Sequence, residues 1–250
     1  MPPAPRPPLS LDLTEALVAR VYRHVPDTGL PVYADMTPMT EADRIAMAKQ
    51  LLAQNDGRPF WIFGYGSLIW KPAFEYVETR RVMAHGWRRS FCIDLDSWRG
   101  TPEEPGLMLA LVPGGSCAGM AYLMPPDDPE KRMLRLLERE VAFREDIRLV
   151  RWLTVRGPDG PIRALTFYAG MLGSGYFIDL PIKAQVHRLS RAVGHVGSCA
   201  EYLRNTVQHL EEIGIHDRYL WQLQSLVAAE ISEHFPALAG ELPTSSNAPR

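Results

Sequence analysis

Cysteine is scarce in this 250-residue chain: Cys92, Cys117 and Cys199 stand far apart, and no Cys-x-x-Cys pair occurs. An odd number at that spacing argues against a disulfide framework and against a structural zinc site, and it suits a reducing compartment. The histidines (24, 85, 187, 195, 209, 216 and 234) form no His-x-x-x-His or His-Glu-x-x-His pattern, so no metal cofactor is expected. Charge of one sign is also missing. A net charge of -2 gives no reason to expect a nucleic-acid partner. The basic doublets Arg80-Arg81 and Arg88-Arg89 read as solvated strand ends. No apolar run approaches the roughly 20 residues of a membrane span. The proline-rich opening, Met1 to Pro8, has no apolar centre and is not a signal peptide, so a cytoplasmic protein with no membrane partner is expected.

What the chain does have is Phe63-Gly64-Tyr65-Gly66-Ser67-Leu68 directly after the apolar run Pro59-Phe60-Trp61-Ile62. A strand that breaks into Gly-x-Gly-Ser presents backbone N–H groups at one end of a core element. Glycines there permit positive φ and let the backbone approach a ligand closely. Such a nest suits a carboxylate or a developing oxyanion, although a tight turn between strands would have the same sequence. The dinucleotide fingerprint is excluded, because Ile69 stands where its third Gly is needed. A hydrolase nucleophile elbow is excluded too, since Tyr65-Gly66-Ser67-Leu68-Ile69 is not Gly-x-Ser-x-Gly. Serine hydrolase chemistry through Ser67 would need a His base that the sequence does not identify.

Around this loop the pattern is organised in three parts. Residues 1–58 read as a Pro-rich tail and helical extension. One helix carries Leu13, Leu17 and Val21, with Val25 beside them, and is closed by Pro26; a second starts at Thr40 with a capping-box-like Asp43 and stops at Asn55-Asp56-Gly57. Residues 59–236 form the main domain, and 237–250 read as a disordered tail. Strands are expected over 60–63, 81–95, 107–112 and 117–124, with Pro113-Gly114-Gly115 as a turn, and 148–168 reads as a hairpin about Gly157-Pro158-Asp159-Gly160. Helices follow from Pro181 to about 235, one of them opened by the capping box Ser198-Cys199-Ala200-Glu201. Mostly antiparallel strands with inserted and appended helices make an α+β domain, possible as a small closed barrel.

Between the strands, Asp128-Pro129 opens a further helix as N-cap and first residue. Met133, Leu136 and Leu137 define its apolar stripe, and the next position on that stripe is Glu140. Either the helix has ended and Glu140 points to solvent, or a carboxylate is partly buried. Burial would raise its pKa and make it a competent general base. Arg99, in a loop rich in Gly and Pro, is either a carboxylate clamp or a structural loop arginine.

These parts occur together, in one order, in a known family. Phe63 to Pro72, Gly86-Trp87 with Arg89 and Phe91-Cys92, Arg99-Gly100-Thr101 with Pro105-Gly106, Gly119-Met120-Ala121-Tyr122 and Arg139-Glu140 resemble the ChaC-type, glutathione-specific γ-glutamylcyclotransferases, over roughly residues 60–235. The resemblance implies a small, mostly antiparallel β-barrel with flanking helices. It also implies conversion of glutathione to 5-oxoproline and cysteinylglycine without metal or cofactor. Glu140 falls on the family's catalytic glutamate, and Ile62, Phe63, Gly64, Tyr65, Gly66, Ser67 and Leu68 match its substrate loop. Two other readings stand beside it: a cyclotransferase for other γ-glutamyl amino acids or amines, and a non-catalytic protein that binds a γ-glutamyl ligand.

Overall fold

Five strands close into a barrel in the order β1-β3-β2-β4-β5. The structure, a computed structural model, describes residues 10–72 and 74–237. The expected disordered tail, beyond residue 237, and the Pro-rich start lie outside the described residues. β1 (Trp61–Gly64) pairs antiparallel with β3 (Gly106–Leu123) and parallel with β5 (Gly160–Thr166), and this parallel seam closes the barrel. All other pairings are antiparallel: β2 (Glu78–Leu95) with β3 and with β4 (Arg151–Gly157), and β4 with β5. The β4–β5 hairpin turns at Pro158-Asp159, between the two expected glycines.

The expected break at Pro113-Gly114-Gly115 is not a turn. β3 runs through it as one 18-residue strand, and so does its partner β2. The register shifts between His85 and Trp87, where Gly86 (φ 83°), Gly114 (φ 100°) and Gly115 (φ 76°) take left-handed conformations. These residues form an irregular, bulged step that bends two long strands together without ending either.

Helices cover the barrel on two sides. α1 (Glu15–Val21) packs with α6 (Cys199–Glu212) and α7 (Arg218–His234), while α5 (Ile182–Arg191) lies against α6, α7 and β3. α1 stops at Val21, short of the expected Pro26, and Val25 lies beyond it. Leu13, Leu17 and Val21 join the barrel-side core, and the Leu13 amide donates to the fully buried Gln224 at 2.9 Å. α2 (Glu41–Asn55) has the expected capping box between Thr40 and Asp43 and ends on a left-handed Asp56. It packs against α4 (Pro129–Glu140) in a second core that holds Met47, Leu51, Met133, Leu136 and Leu137.

The start of α4 differs from expectation. Asp128 is at the N-cap but left-handed (φ 47°), and its side chain caps nothing. The helix is held instead by its buried stripe: full burial of Met133, Leu136 and Leu137 is worth roughly 1.5–3 kcal/mol each. That is enough to fix the helix even if its last residue is an unfavourably buried carboxylate, which costs several kcal/mol. In α6, Ser198 caps the Glu201 amide at 3.0 Å, but the Glu201 carboxylate leaves the capping box and pairs with Arg99 instead.

Candidate active site

At the end of the barrel where β1, β2 and β5 finish and β3 begins lies a cavity of about 1090 Å³, walled there by Ile93, Asp94 and Leu95 of β2 and Met108 and Leu109 of β3. β1 ends at Gly64, behind the cavity wall. The chain then turns through Tyr65-Gly66 into the four-residue helix α3 (Ser67–Trp70), closed by Ile69 N–H to Gly66 O at 2.9 Å. As first-turn residues, Ser67 and Leu68 have no intrahelical acceptor for their N–H groups. Tyr65, Gly66, Ser67 and Leu68 line the cavity. Ile62 and Phe63, fully buried in the two cores, and Gly64 stand behind this wall and do not line it.

The loop's glycines are needed for close approach rather than for positive φ, which neither adopts. A Cβ on Gly64 would lie 3.0 Å from the Tyr122 ring, and one on Gly66 would lie 3.1 Å from Tyr202 Oη. On the neighbouring strand, a Cβ on Gly119 would meet Gly64 O at 2.5 Å and the Phe63 ring at 2.6 Å.

Arg89 holds the loop from below. Far from being a solvated strand end, it is buried; its Nε donates to Tyr65 O at 2.6 Å, Nη1 to Asp217 at 2.9 Å and Nη2 to Ala118 O. The alternation of β2 turns this side chain inward, and the adjacent Arg88 does not share its bonds. A basic doublet on a strand always divides in this way between two faces.

Glu140 is the last residue of α4 and lines the same cavity, its side chain only 10% exposed. Burial raises its pKa above the ordinary 4.5, and Arg139 works in the opposite direction, with Nε 3.2 Å from Glu140 Oε1. Arg139 is itself fixed by donation to Lys71 O. Three phenols, Tyr65 and Tyr202 buried and Tyr168 partly so, lie close enough to the carboxylate for its charge to help raise their pKa values. Burial is the main cause in each. Tyr65 and Tyr168 move well up, and Tyr202 is pushed up to about 12. All three therefore remain protonated donors at neutral pH. The Tyr65 hydroxyl donates to Phe167 O at 3.0 Å, which ties the loop to the end of β5.

Arg99 also lines the cavity, though its Nη1 is already bonded to Ser198 O at 2.7 Å and to Glu201 at 2.9 Å. Its guanidinium lies over the Tyr202 ring, 5.3 Å from the centroid. Ser67 shares the cavity wall with Glu140, but no histidine is among the lining residues. The cavity wall thus brings together one desolvated carboxylate, phenolic hydroxyls and the first-turn N–H groups of α3.

The motif-based expectation did not include the phenols Tyr168 and Tyr202 as site residues. Tyr202 carries a readable signal, sitting on the apolar face of a capped helix with a hydroxyl to satisfy. Tyr168 follows β5 in a left-handed conformation (φ 50°), which sequence periodicity does not report.

A family model described as "ChaC-like protein" matches residues 60–230. The chain is 34% identical to the glutathione-specific gamma-glutamylcyclotransferase of Escherichia coli (strain K12) over 192 residues, 76% of this chain and 82% of that protein. It is 30% identical to the Homo sapiens glutathione-specific gamma-glutamylcyclotransferase 1, over 72% of this chain and 83% of the relative. The fold is similar to the crystal structure of the yeast γ-glutamyl cyclotransferase specific to glutathione, with a TM-score of 0.61 and 20% identity over 70% of this chain and 98% of that one.

Proposed function

This chain belongs to the ChaC-like protein family, and we propose on that premise that it cleaves glutathione to 5-oxoproline and cysteinylglycine. The observation that carries the reading is Glu140: a desolvated carboxylate on a cavity wall, facing the Tyr65–Leu68 loop of the family's motif.

The α-amine of the γ-glutamyl group attacks its own γ-carbonyl carbon and closes a five-membered ring. Attack is intramolecular, so the cavity mainly selects the folded-back conformer. The amine, largely protonated near neutrality, must lose protons to become a nucleophile, and the departing cysteinyl nitrogen must gain one. Glu140 accepts the proton as the C–N bond forms and returns it to the leaving nitrogen as the second C–N bond breaks. A carboxylate with a raised pKa is suited to both halves of this exchange. The amides of the Tyr65–Leu68 loop receive the oxyanion of the tetrahedral intermediate, and the free edge of the Arg99 guanidinium takes the α-carboxylate. Over the whole cycle two protons leave the attacking nitrogen, one before attack and one through Glu140. The departing nitrogen takes up two and leaves as the ammonium of cysteinylglycine, so protons and electrons balance and no cofactor is consumed.

The three cysteines are free and buried, and burial raises their pKa values: Cys117 and Cys199 reach about 11. They act as packing rather than as nucleophiles. We place the protein in the cytoplasm, where free cysteines persist and glutathione is reduced. No described helix is long and apolar enough to cross a membrane.

The test is incubation of the purified, metal-free protein with millimolar glutathione, following 5-oxoproline and cysteinylglycine by mass spectrometry, beside Glu140→Gln. Equimolar products from the wild type and near-complete loss in the variant are expected. γ-Glu-Ala as a parallel substrate should be turned over poorly, and its preference over glutathione would overturn the substrate assignment.

A further inference from the structure

Part of the cavity wall comes from outside the stretch that the family model matches. Leu30, Tyr33, Asp35 and Met36 of the α1–α2 connection, and Arg44 of α2, all precede residue 60 and all line it. Among these residues Arg44 is chemically unfinished. Its Nε is buried with no hydrogen-bond partner, and its guanidinium forms no ion pair among the described residues. Arg204, the other arginine with an unpartnered buried Nε, does have a carboxylate, Glu15, at 2.9 Å from Nη2.

The other cations of the cavity are differently placed. Arg99 is bonded to Glu201, and Arg139 to Glu140 and Lys71 O. Lys71 and Arg148 are exposed and solvated. Most cavity acids are committed elsewhere: Asp96 to Tyr33, Asp94 to Arg188, Glu145 to the Thr37 amide and Asp146 to Tyr176. Asp35 and Glu138 also line the cavity, and neither bonds Arg44. Nε is enclosed, but Nη1 and Nη2 are not and bond no internal acceptor among the described residues, and this planar donor edge fits a carboxylate in two-point contact.

Glutathione carries two carboxylates. The α-carboxylate travels with the reacting end, near Glu140 and the Tyr65–Leu68 loop, and the glycyl carboxylate lies at the other end of the molecule. We propose that Arg44 binds the glycyl carboxylate of glutathione, so that the N-terminal extension supplies the recognition of the leaving dipeptide. This inference rests on the glutathione reading above and adds a specificity residue to it.

Calorimetric titration tests it without turnover, on Glu140→Gln protein with either Arg44 or Arg44→Gln. The ligands are glutathione and its glycyl carboxamide, which removes the distal charge and leaves the protein untouched. With Arg44 present, glutathione should bind roughly 10- to 100-fold more tightly than the amide, the range for a hydrogen bond to a charged group. With Arg44→Gln the two ligands should bind alike. The same ratio in both proteins overturns the proposal, as does failure of the Glu140→Gln protein to bind either ligand. An Arg44-dependent ratio in a protein whose wild type makes no 5-oxoproline would uphold Arg44 and remove the catalytic reading instead.

Discussion

At the scale of single residues, the proposed mechanism turns on how unfavourable it is to ionise Glu140. Its folded pKa is raised by burial from 4.5, so ionisation in the native state is opposed. Below about pH 4.5 the carboxyl is protonated in both folded and unfolded chains and contributes no penalty. As pH rises through 4.5 the unfolded chain releases its proton first, and the native state loses stability relative to it. The loss stops growing once the folded carboxyl also ionises. Glu140→Gln, which cannot ionise, should therefore gain stability relative to the wild type between pH 4 and pH 8. Urea unfolding at those two values measures this, and an identical difference at both would remove the desolvated carboxylate from the account. The same ionisation should form the acid limb of kcat/KM in the wild type, because only the carboxylate can accept the amine's proton. The position of Glu140 was legible because an apolar stripe of Met133, Leu136 and Leu137 called for another apolar residue there. Its neighbours were less so. Arg89 is the contrary case, because a doublet of arginines does not reveal which of the two a twisted, closed barrel turns inward.

At the scale of elements, the site depends on how closely β1 approaches β3. Gly119 has no room for a side chain: its Cβ would collide with the Gly64 carbonyl and the fully buried Phe63 ring. Neither can retreat cheaply, since one is backbone in a barrel strand and the other is locked in the core. Gly119→Ala should cost about 1–3 kcal/mol, as overpacking in a filled interior does. It should also displace Gly64 and with it the Tyr65–Leu68 loop. Thermal unfolding gives the first effect and the KM for glutathione the second. A variant with wild-type melting and wild-type KM would show that the strand spacing does not set the loop. Much of this architecture could be read from local signals: the hairpin from its Gly-Pro-Asp-Gly turn, α2 from its capping box, the barrel from the run of antiparallel strands. The irregular step at Gly86 and Gly114-Gly115 could not, because positive-φ glycines in sequence look the same whether they end a strand or kink one. The split capping box of α6 was hidden for another reason. Glu201 had the right spacing for Ser198, but a buried arginine 102 residues away in sequence competed for it.

At the scale of the whole molecule, residues 22–40 contribute Leu30, Tyr33, Asp35 and Met36 to the cavity wall. They run between α1 and α2 without helix of their own, past the end of α4. Thr37 N–H donates to Glu145 at 2.8 Å, Arg144 N–H to Thr37 O at 2.8 Å and Met39 N–H to Ala142 O at 2.9 Å. At the far side, the Tyr33 hydroxyl donates to Asp96 while its ring packs on Phe143, with centroids 5.5 Å apart. Burial, with Asp96 next, raises the Tyr33 pKa, so the hydroxyl keeps its proton and the tie holds across the neutral range. Helices at both ends are anchored in the two cores, so this connection can open locally while the barrel stays folded. Tyr33→Phe keeps the ring contact and removes only the bond to Asp96, a loss of about 1.5–3 kcal/mol if the acceptor is fully charged and shielded. The strap should then sample open states more often. KM for glutathione should rise several-fold with kcat nearly unchanged, because Glu140 and the Tyr65–Leu68 loop are untouched. The melting temperature should move little, since the cost falls on a local opening. Hydrogen exchange provides the independent readout: the amides of Thr37, Met39 and Arg144 should exchange faster in Tyr33→Phe than in the wild type. Unchanged exchange together with unchanged KM would mean that the strap is held by its Thr37–Glu145 side alone, and that Tyr33 does not govern entry to the cavity.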